Sequence, residues 1–289
     1  MANSEVSTKI LDHIVHLTPP GTLEESVKEF RALGFTVVPG GTHADGLTAN
    51  ALIVFTDRTY LELLHFTRAP SPSSTHPWAQ KHPGWIDYAF LGNAGTPSIA
   101  DTINARADRD GVEGARYAKE ARGGRKRADG RVLEWLISAS EGDGVRGRLP
   151  FFCGDLTPRA WRVPLEPRSN AEHRNTATGL THVKLLAPPD SLTTYAQQLT
   201  AVLGVPPVAS TSTRVVWELE QQPSHRDPGR SPTRLVLSAP EDGDEEEEAY
   251  VRERGAGIYE LGVTVEDSRY AGVARTPYGR IVSKLAERQ

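Results

Sequence analysis

The chain has 289 residues, 38% of them apolar, and 33 basic against 37 acidic side chains leave a net charge of −4. That length suits one large domain or two ordinary ones, and the charge supplies no cationic field to attract nucleic acid or an anionic membrane. Cys153 is the lone cysteine, which excludes an intrachain disulfide. No run is long enough to span a membrane, and the first residues lack the apolar core of a signal peptide, so a cytoplasmic protein with a small-molecule partner is expected.

Leu11, His13, Val15 and Leu17 alternate with Asp12, Ile14 and His16, which predicts a strand with the first set on one face. Pro19, Pro20 and Gly21 stop it. Thr22 and Glu25 then stand at capping-box spacing, and Leu23, Val27, Phe30 and Leu33 recur at helical spacing until Gly34. Strands are expected at 36–38, after it the Gly-rich turn PGGTHADG, and then at 50–55 and 60–66, with Asp57 and Arg58 turning between the last two. The order is β-α-β-β-β. It recurs with a strand at 84–91, a helix begun by Ser98 and Asp101, strands at 114–120 and 132–138 about Asp129-Gly130, and a closing strand at 149–153.

The opening unit returns at 180–205, again with a Pro-Pro break and a terminal Gly, and His182 takes the place of His13; the offset is 180 − 11 = 169 residues. GIYELGVT echoes GWIDYAFL at the similar offset of 257 − 84 = 173. These spacings point to duplication of a large piece rather than a solenoid. The third unit continues with strands at 214–218 and 234–239, and the fourth is cut short. Residues 221–231 read as a loop and 241–248 as a solvated acidic insertion. The expected organisation is a first domain over 8–156, a linker over 157–178 and a degenerate second lobe over 179–289.

Tandem βαβββ units with a His in the first strand, a Glu in the last and a PGGTH turn resemble the vicinal oxygen chelate superfamily, specifically its glyoxalase-like-domain proteins. The resemblance implies an α+β fold in which paired units form a cupped, partly open mixed β-barrel. It also implies a divalent metal held by a His or equivalent from each first strand and a carboxylate from each fourth strand. Residue by residue, His13 and Glu62 match in the first unit, whereas Asp87 stands where a second His is expected and Phe151 or Phe152 where a second Glu is expected. In the second lobe His182 stands at the first-strand position, Val236 at the carboxylate position and Glu260 opposite Asp87.

The resulting candidate metal ligands are His13, Glu62 and Asp87, an oxygen-rich set open to manganese, iron, zinc or magnesium, with no metal at all equally compatible. His13 and Glu62 are also the candidate catalytic pair, since Glu62 without a metal could be a buried base with a raised pKa; alternatively, they only bond each other across the strands. His43 and Asn50 in and after the Gly-rich turn, with Trp135 and Phe152, are candidate substrate contacts. Their ordinary readings are an exposed loop His and core aromatics. Arg122, Arg125, Lys126, Arg127 and Arg131 read as a solvated hairpin tip, with anion recognition as the sharper alternative. The expected function is a lyase or isomerase acting on a carbonyl- or enol-containing metabolite, or a dioxygenase if the metal is iron. The competing class is a metal-free binding protein of the bleomycin-resistance type. A homodimer is compatible with either.

Overall fold

A computed structural model describes residues 6–127, 129–142 and 146–287. β1 (Leu11–Thr18), α1 (Leu23–Ala32), β2 (Val38–His43), β3 (Thr48–Val54) and β4 (Tyr60–Phe66) form the first unit. β5 (Gly84–Leu91), α2 (Ile99–Asp110), β6 (Ala121–Arg127), β7 (Val132–Ser138) and β8 (Phe151–Asp155) form the second. Together they make one barrel in the order β1-β4-β3-β2-β6-β7-β8-β5. Its ladder runs unbroken because β2 pairs with β6 through Gly41–Arg127, Thr42–Lys126 and His43–Arg125, while its interior stays open as a cup. The strand expected at 114–120 lies instead at 121–127; the earlier residues make only an isolated bridge, Tyr117 to Ser140.

α1 forms because its apolar spacing puts Phe30 on the inner side, where it is fully buried against Phe35 and Trp85. Burial of a side chain that size contributes about 1.5–3 kcal/mol. Thr22 does not cap the helix as its spacing suggests: its hydroxyl donates to the Pro19 carbonyl. Ser98 does cap α2, accepting from the Asp101 N–H at 3.2 Å, and the Glu120 carboxylate accepts from Ile99 N–H.

The second lobe repeats the wiring. α3 (Arg159–Arg162) leads to β9 (Ala177–Leu186), α4 (Leu192–Leu203), β10 (Ala209–Ser210), β11 (Arg214–Glu218) and β12 (Arg234–Ser238), then α5 (Glu245–Arg254), β13 (Gly257–Val265), β14 (Gly272–Thr276) and β15 (Gly279–Leu285). The order β9-β12-β11-β10 reproduces β1-β4-β3-β2, with the first and last strands of each unit again parallel. β13 pairs with β9 and β15 as β5 pairs with β1 and β8. Among the described residues the fourth unit has no counterpart of β6, the strand that closes the first barrel, and this sheet is open. The acidic stretch expected to be an insertion starts a helix instead: Asp244 caps α5, and buried Glu247 pairs with Lys184.

The lobes share one apolar core, in which Leu11, Ile14, Trp85 and Phe90 continue into Leu180, Tyr195, Leu199 and Leu261. His16 is fully buried there, between Phe30 and Trp85, with Nδ1 lacking any partner. Burial depresses its pKa to about 3. Between that value and the ordinary His value the unfolded chain holds a proton that the folded chain refuses, so stability rises with pH across this window and is lost on acidification. Chemical denaturation at pH 6, 5 and 4 is expected to show His16→Leu losing less stability than wild type, by about 1.4 kcal/mol per pH unit. Parallel losses in the two proteins would contradict the assignment.

Candidate functional site

The strands of the first barrel surround a cavity of about 350 Å³. Glu62 on β4 and His13 on β1 both line it, with Nε2 of His13 3.7 Å from Glu62 Oε2. His43, at the end of β2, approaches the other oxygen, its Nε2 lying 3.5 Å from Oε1. The Asn50 amide donates a short hydrogen bond to that same Oε1. The walls are Tyr60, Trp78, Trp135 and Phe151. Tyr60 stacks on the His13 ring at 4.5 Å, and Phe151 meets it edge-on at 5.3 Å.

A β-bulge sets this geometry. Leu11 pairs with Phe90 and His13 with the next residue, Ala89, so Asp12 is an extra residue in β1. Leu11 therefore lies in the core between the lobes, not on the face of His13 as strict alternation predicts. Asp12, which alternation places on the opposite face, instead has Oδ2 2.8 Å from His13 Nδ1. Burial alone would raise the Asp12 pKa, but Arg159, Arg162 and the His13 bond hold it well below the ordinary carboxylate range. An ionised carboxylate only accepts, so His13 Nδ1 carries the proton and Nε2 faces Glu62.

The guanidiniums holding Asp12 come from α3, within the segment expected to be a linker. Arg159 Nη2 is 2.5 Å and Arg162 Nη1 2.7 Å from the Asp12 carboxylate, and Arg162 also grips Asp155 through Nε and Nη2. Arg162 reaches the Tyr60 hydroxyl at 2.8 Å as well. Arg162 lies 150 residues from Asp12 in sequence and Arg159 nearly as far, which leaves no local pattern by which to find them.

Glu62 does not have the raised pKa considered for a buried base. Burial pushes it up, but His43, His13, the Asn50 amide and Arg125 together bring it below the ordinary value. Burial also lowers the His43 pKa, an effect that Glu62 partly opposes. His43 Nδ1 lies 2.7 Å from the Thr48 hydroxyl. Because Glu62 can only accept, the tautomer with Nε2–H beside it is favoured. The PGGTH stretch, expected as a turn after a strand at 36–38, lies instead within β2, and it needs glycine for close approach: a Cβ on Gly40 would stand 2.0 Å from Asn50 Oδ1 and 2.8 Å from Arg125 Nη1. Asn50 also accepts from the Gly41 N–H.

Two sequence-derived site residues lie elsewhere. Asp87 is fully buried and does not line the cavity; its Oδ2 accepts from the Trp78 indole at 2.7 Å and pairs with Arg146 at 2.7 Å. Phe152 packs against Phe90 and Tyr117 in the core between the lobes, and it is the adjacent Phe151 that faces the cup. Arg125, read as part of an exposed hairpin tip, is buried, lines the cavity and donates to Asn50 Oδ1 at 2.7 Å. Cys153 also lines the cavity, with burial pushing its thiol up to about 12.

The metal that the fold implies does not fit the proposed donors. Asp87 is committed to Arg146 and Trp78, and the two imidazoles approach different oxygens of Glu62 rather than one shared point. Among the described residues no cluster of three or more His, Cys, Asp or Glu is arranged to hold an ion.

Residues 11–203 match the sequence model of a glyoxalase-like domain. The chain belongs to that family. The match covers both units of the first barrel and runs into α4, and it agrees with the vicinal oxygen chelate resemblance carried by His13, Glu62 and PGGTH. No curated protein matches the chain. Among solved structures, a hypothetical protein from Staphylococcus aureus shares the fold at 10% identity and a TM-score of 0.67, over 96% of this chain and 99% of that one. A mutant of 4-hydroxymandelate synthase from Streptomyces coelicolor is similar at 14% identity and a TM-score of 0.54, over 94% of this chain and 78% of that one.

The second lobe of this glyoxalase-like protein has an open groove of about 590 Å³ containing His182, Val236 and Glu260. There Glu260 is tied to His182 Nε2 at 2.9 Å and to Arg280 Nε at 2.5 Å. Both carboxylate oxygens are thus engaged, Val236 supplies no carboxylate at the matching position, and Arg280 is shared with Glu246 at 3.7 Å. No helix among the described residues is long and apolar enough to cross a membrane.

Proposed function

We propose that the chain is a small-molecule enzyme of the lyase or isomerase type, in which Glu62 takes a proton from a carbon beside a substrate carbonyl. The observation carrying this reading is an ionised carboxylate set between two imidazole Nε2 atoms in an aromatic-walled cavity. That volume suits a small metabolite. When Glu62 removes the proton, the C–H electron pair becomes an enolate, and His43 Nε2–H is a donor beside the developing charge. His13 Nε2, oriented by Asp12, can receive the proton from Glu62 and return it, to the same carbon or to its neighbour. Return to the neighbour is an isomerisation; departure of a group from that neighbour is a lyase reaction. Neither needs a step through a metal.

Proton NMR in D₂O with short 2-oxo acids, hydroxyketones and aldehydes tests the proposal. Deuterium is expected to appear at the carbon beside the carbonyl of at least one compound, at a rate proportional to protein. Saturable binding without exchange for every compound would instead support a binding or sequestering role, to which the aromatic walls are also suited.

A further inference from the structure

The cavity contains a guanidinium that no carboxylate touches directly: Arg125 acts on the charge of Glu62 only from beyond ion-pair distance, with Asn50 between them. Arg125 is 3% exposed, yet among the described residues its only side-chain hydrogen bond runs from Nη1 to Asn50 Oδ1, Nε has no partner, and no carboxylate lies within ion-pair distance. The other arginines lining the cavity differ. Arg146 is paired with Asp87, Arg162 with Asp12 and Asp155, and Arg122 with Glu134. A buried guanidinium with open donors carries a desolvation cost that a planar oxyanion in the cavity would offset. Two features hold it in place: the Asn50 carbonyl, and the absence of a Cβ at Gly40.

We infer that Arg125 is an anion anchor and that the ligand of this cavity is a small carboxylic acid. This deepens, and rests on, the reading of the first-barrel cavity as the active site. Asn50 joins the anchor to the base, because its Oδ1 accepts from Arg125 while its Nδ2 donates to Glu62. A carboxylate on Arg125 would therefore sit one amide side chain away from Glu62, with the body of the molecule against Trp78, Trp135 and Phe151. In such a ligand the carbon presented to Glu62 is close to the carboxylate, which makes a carbonyl-bearing organic acid the substrate class.

The test uses benzoate and its uncharged isostere benzamide, with binding read from the fluorescence of Trp78 and Trp135. Wild type is expected to bind benzoate at least about tenfold more tightly than benzamide, as for a charge-assisted hydrogen bond in a buried site. In Arg125→Gln that preference should collapse to within about twofold, Arg125→Lys should keep part of it, and the exposed-site control Arg131→Gln should keep all of it. Should Arg125→Gln not fold, the ¹⁵N–H signal of Arg125 Nε in wild type decides, since benzoate should shift it and benzamide should not. Equal affinity for the two probes in wild type, a preference surviving in folded Arg125→Gln, or an Arg125 signal indifferent to benzoate would each overturn the inference. Because these readouts need no turnover, benzoate selectivity in a protein that fails to exchange deuterium would sustain the anchor while removing the catalytic reading.

Discussion

Glu62→Gln is expected to lower the rate of deuterium exchange by about 10²–10⁴-fold, the range over which a positioned general base contributes. The substitution keeps the shape of the side chain and an oxygen that can accept from Asn50, but it removes the charge and the proton-accepting capacity. Its effect should fall on kcat, since the proton is transferred only in the reacting complex. Thermal stability at neutral pH should fall modestly, because the contacts that hold the Glu62 pKa below its ordinary value outweigh the desolvation cost and are lost with the charge. Glu260→Gln is the matching control in the second lobe. Its carboxylate lies in the other groove, bonded to His182 and Arg280, so exchange should stay within about twofold of wild type. Equal losses in the two variants, or none in Glu62→Gln, would reject the placement of the chemistry in the first barrel.

Arg162→Leu is expected to cost about 3–5 kcal/mol of stability, the penalty for leaving buried carboxylates without a partner. Arg162 is 3% exposed and bonds both Asp12 and Asp155. Without it, Asp12 retains Arg159 and His13, but both carboxylates lose their most buried cation. The sign of the pH dependence follows. Asp12 has a depressed pKa, so its contribution is present at neutral pH and is lost as pH falls through the folded value. The gap between wild type and variant should therefore be widest near neutrality and narrow on acidification. Urea unfolding at several pH values measures it. Arg252→Leu, which removes only an exposed pair with Glu253, should change stability by less than about 1 kcal/mol.

The units, their order and the duplication were legible because each rests on local periodicity and on turn residues. β1, β4 and β5 bury both faces of the strand, so their apolar runs stand out. His13 and Glu62 could be placed together from sequence because they share the inward face of neighbouring parallel strands, two residues apart in register, with His13 opposite Tyr60 and Glu62 opposite Val15. What failed to read from sequence depended on single-residue shifts or on distant partners. The bulge at Asp12 turns a side chain into the site that alternation sends away from it. One step along β8 exchanges Phe152 for Phe151. Starting β6 at Ala121 changes an apparent hairpin tip into a strand and sends Arg125 inward, where its basic neighbours had suggested solvent. Asp87 looked like a ligand because it sits on the right strand, and nothing local announces Arg146 as its partner.

In the proposed chemistry the first-barrel cavity works through an ionised Glu62 held between His13 and His43. Following the carboxyl carbon of ¹³C-labelled Glu62 by NMR from pH 8 to pH 3, with Glu62→Gln to assign the signal, tests it directly. An inflection below the ordinary glutamate value is expected, because the two imidazoles, Asn50 and Arg125 outweigh the effect of burial. A carboxyl group that remains protonated up to neutral pH would contradict it.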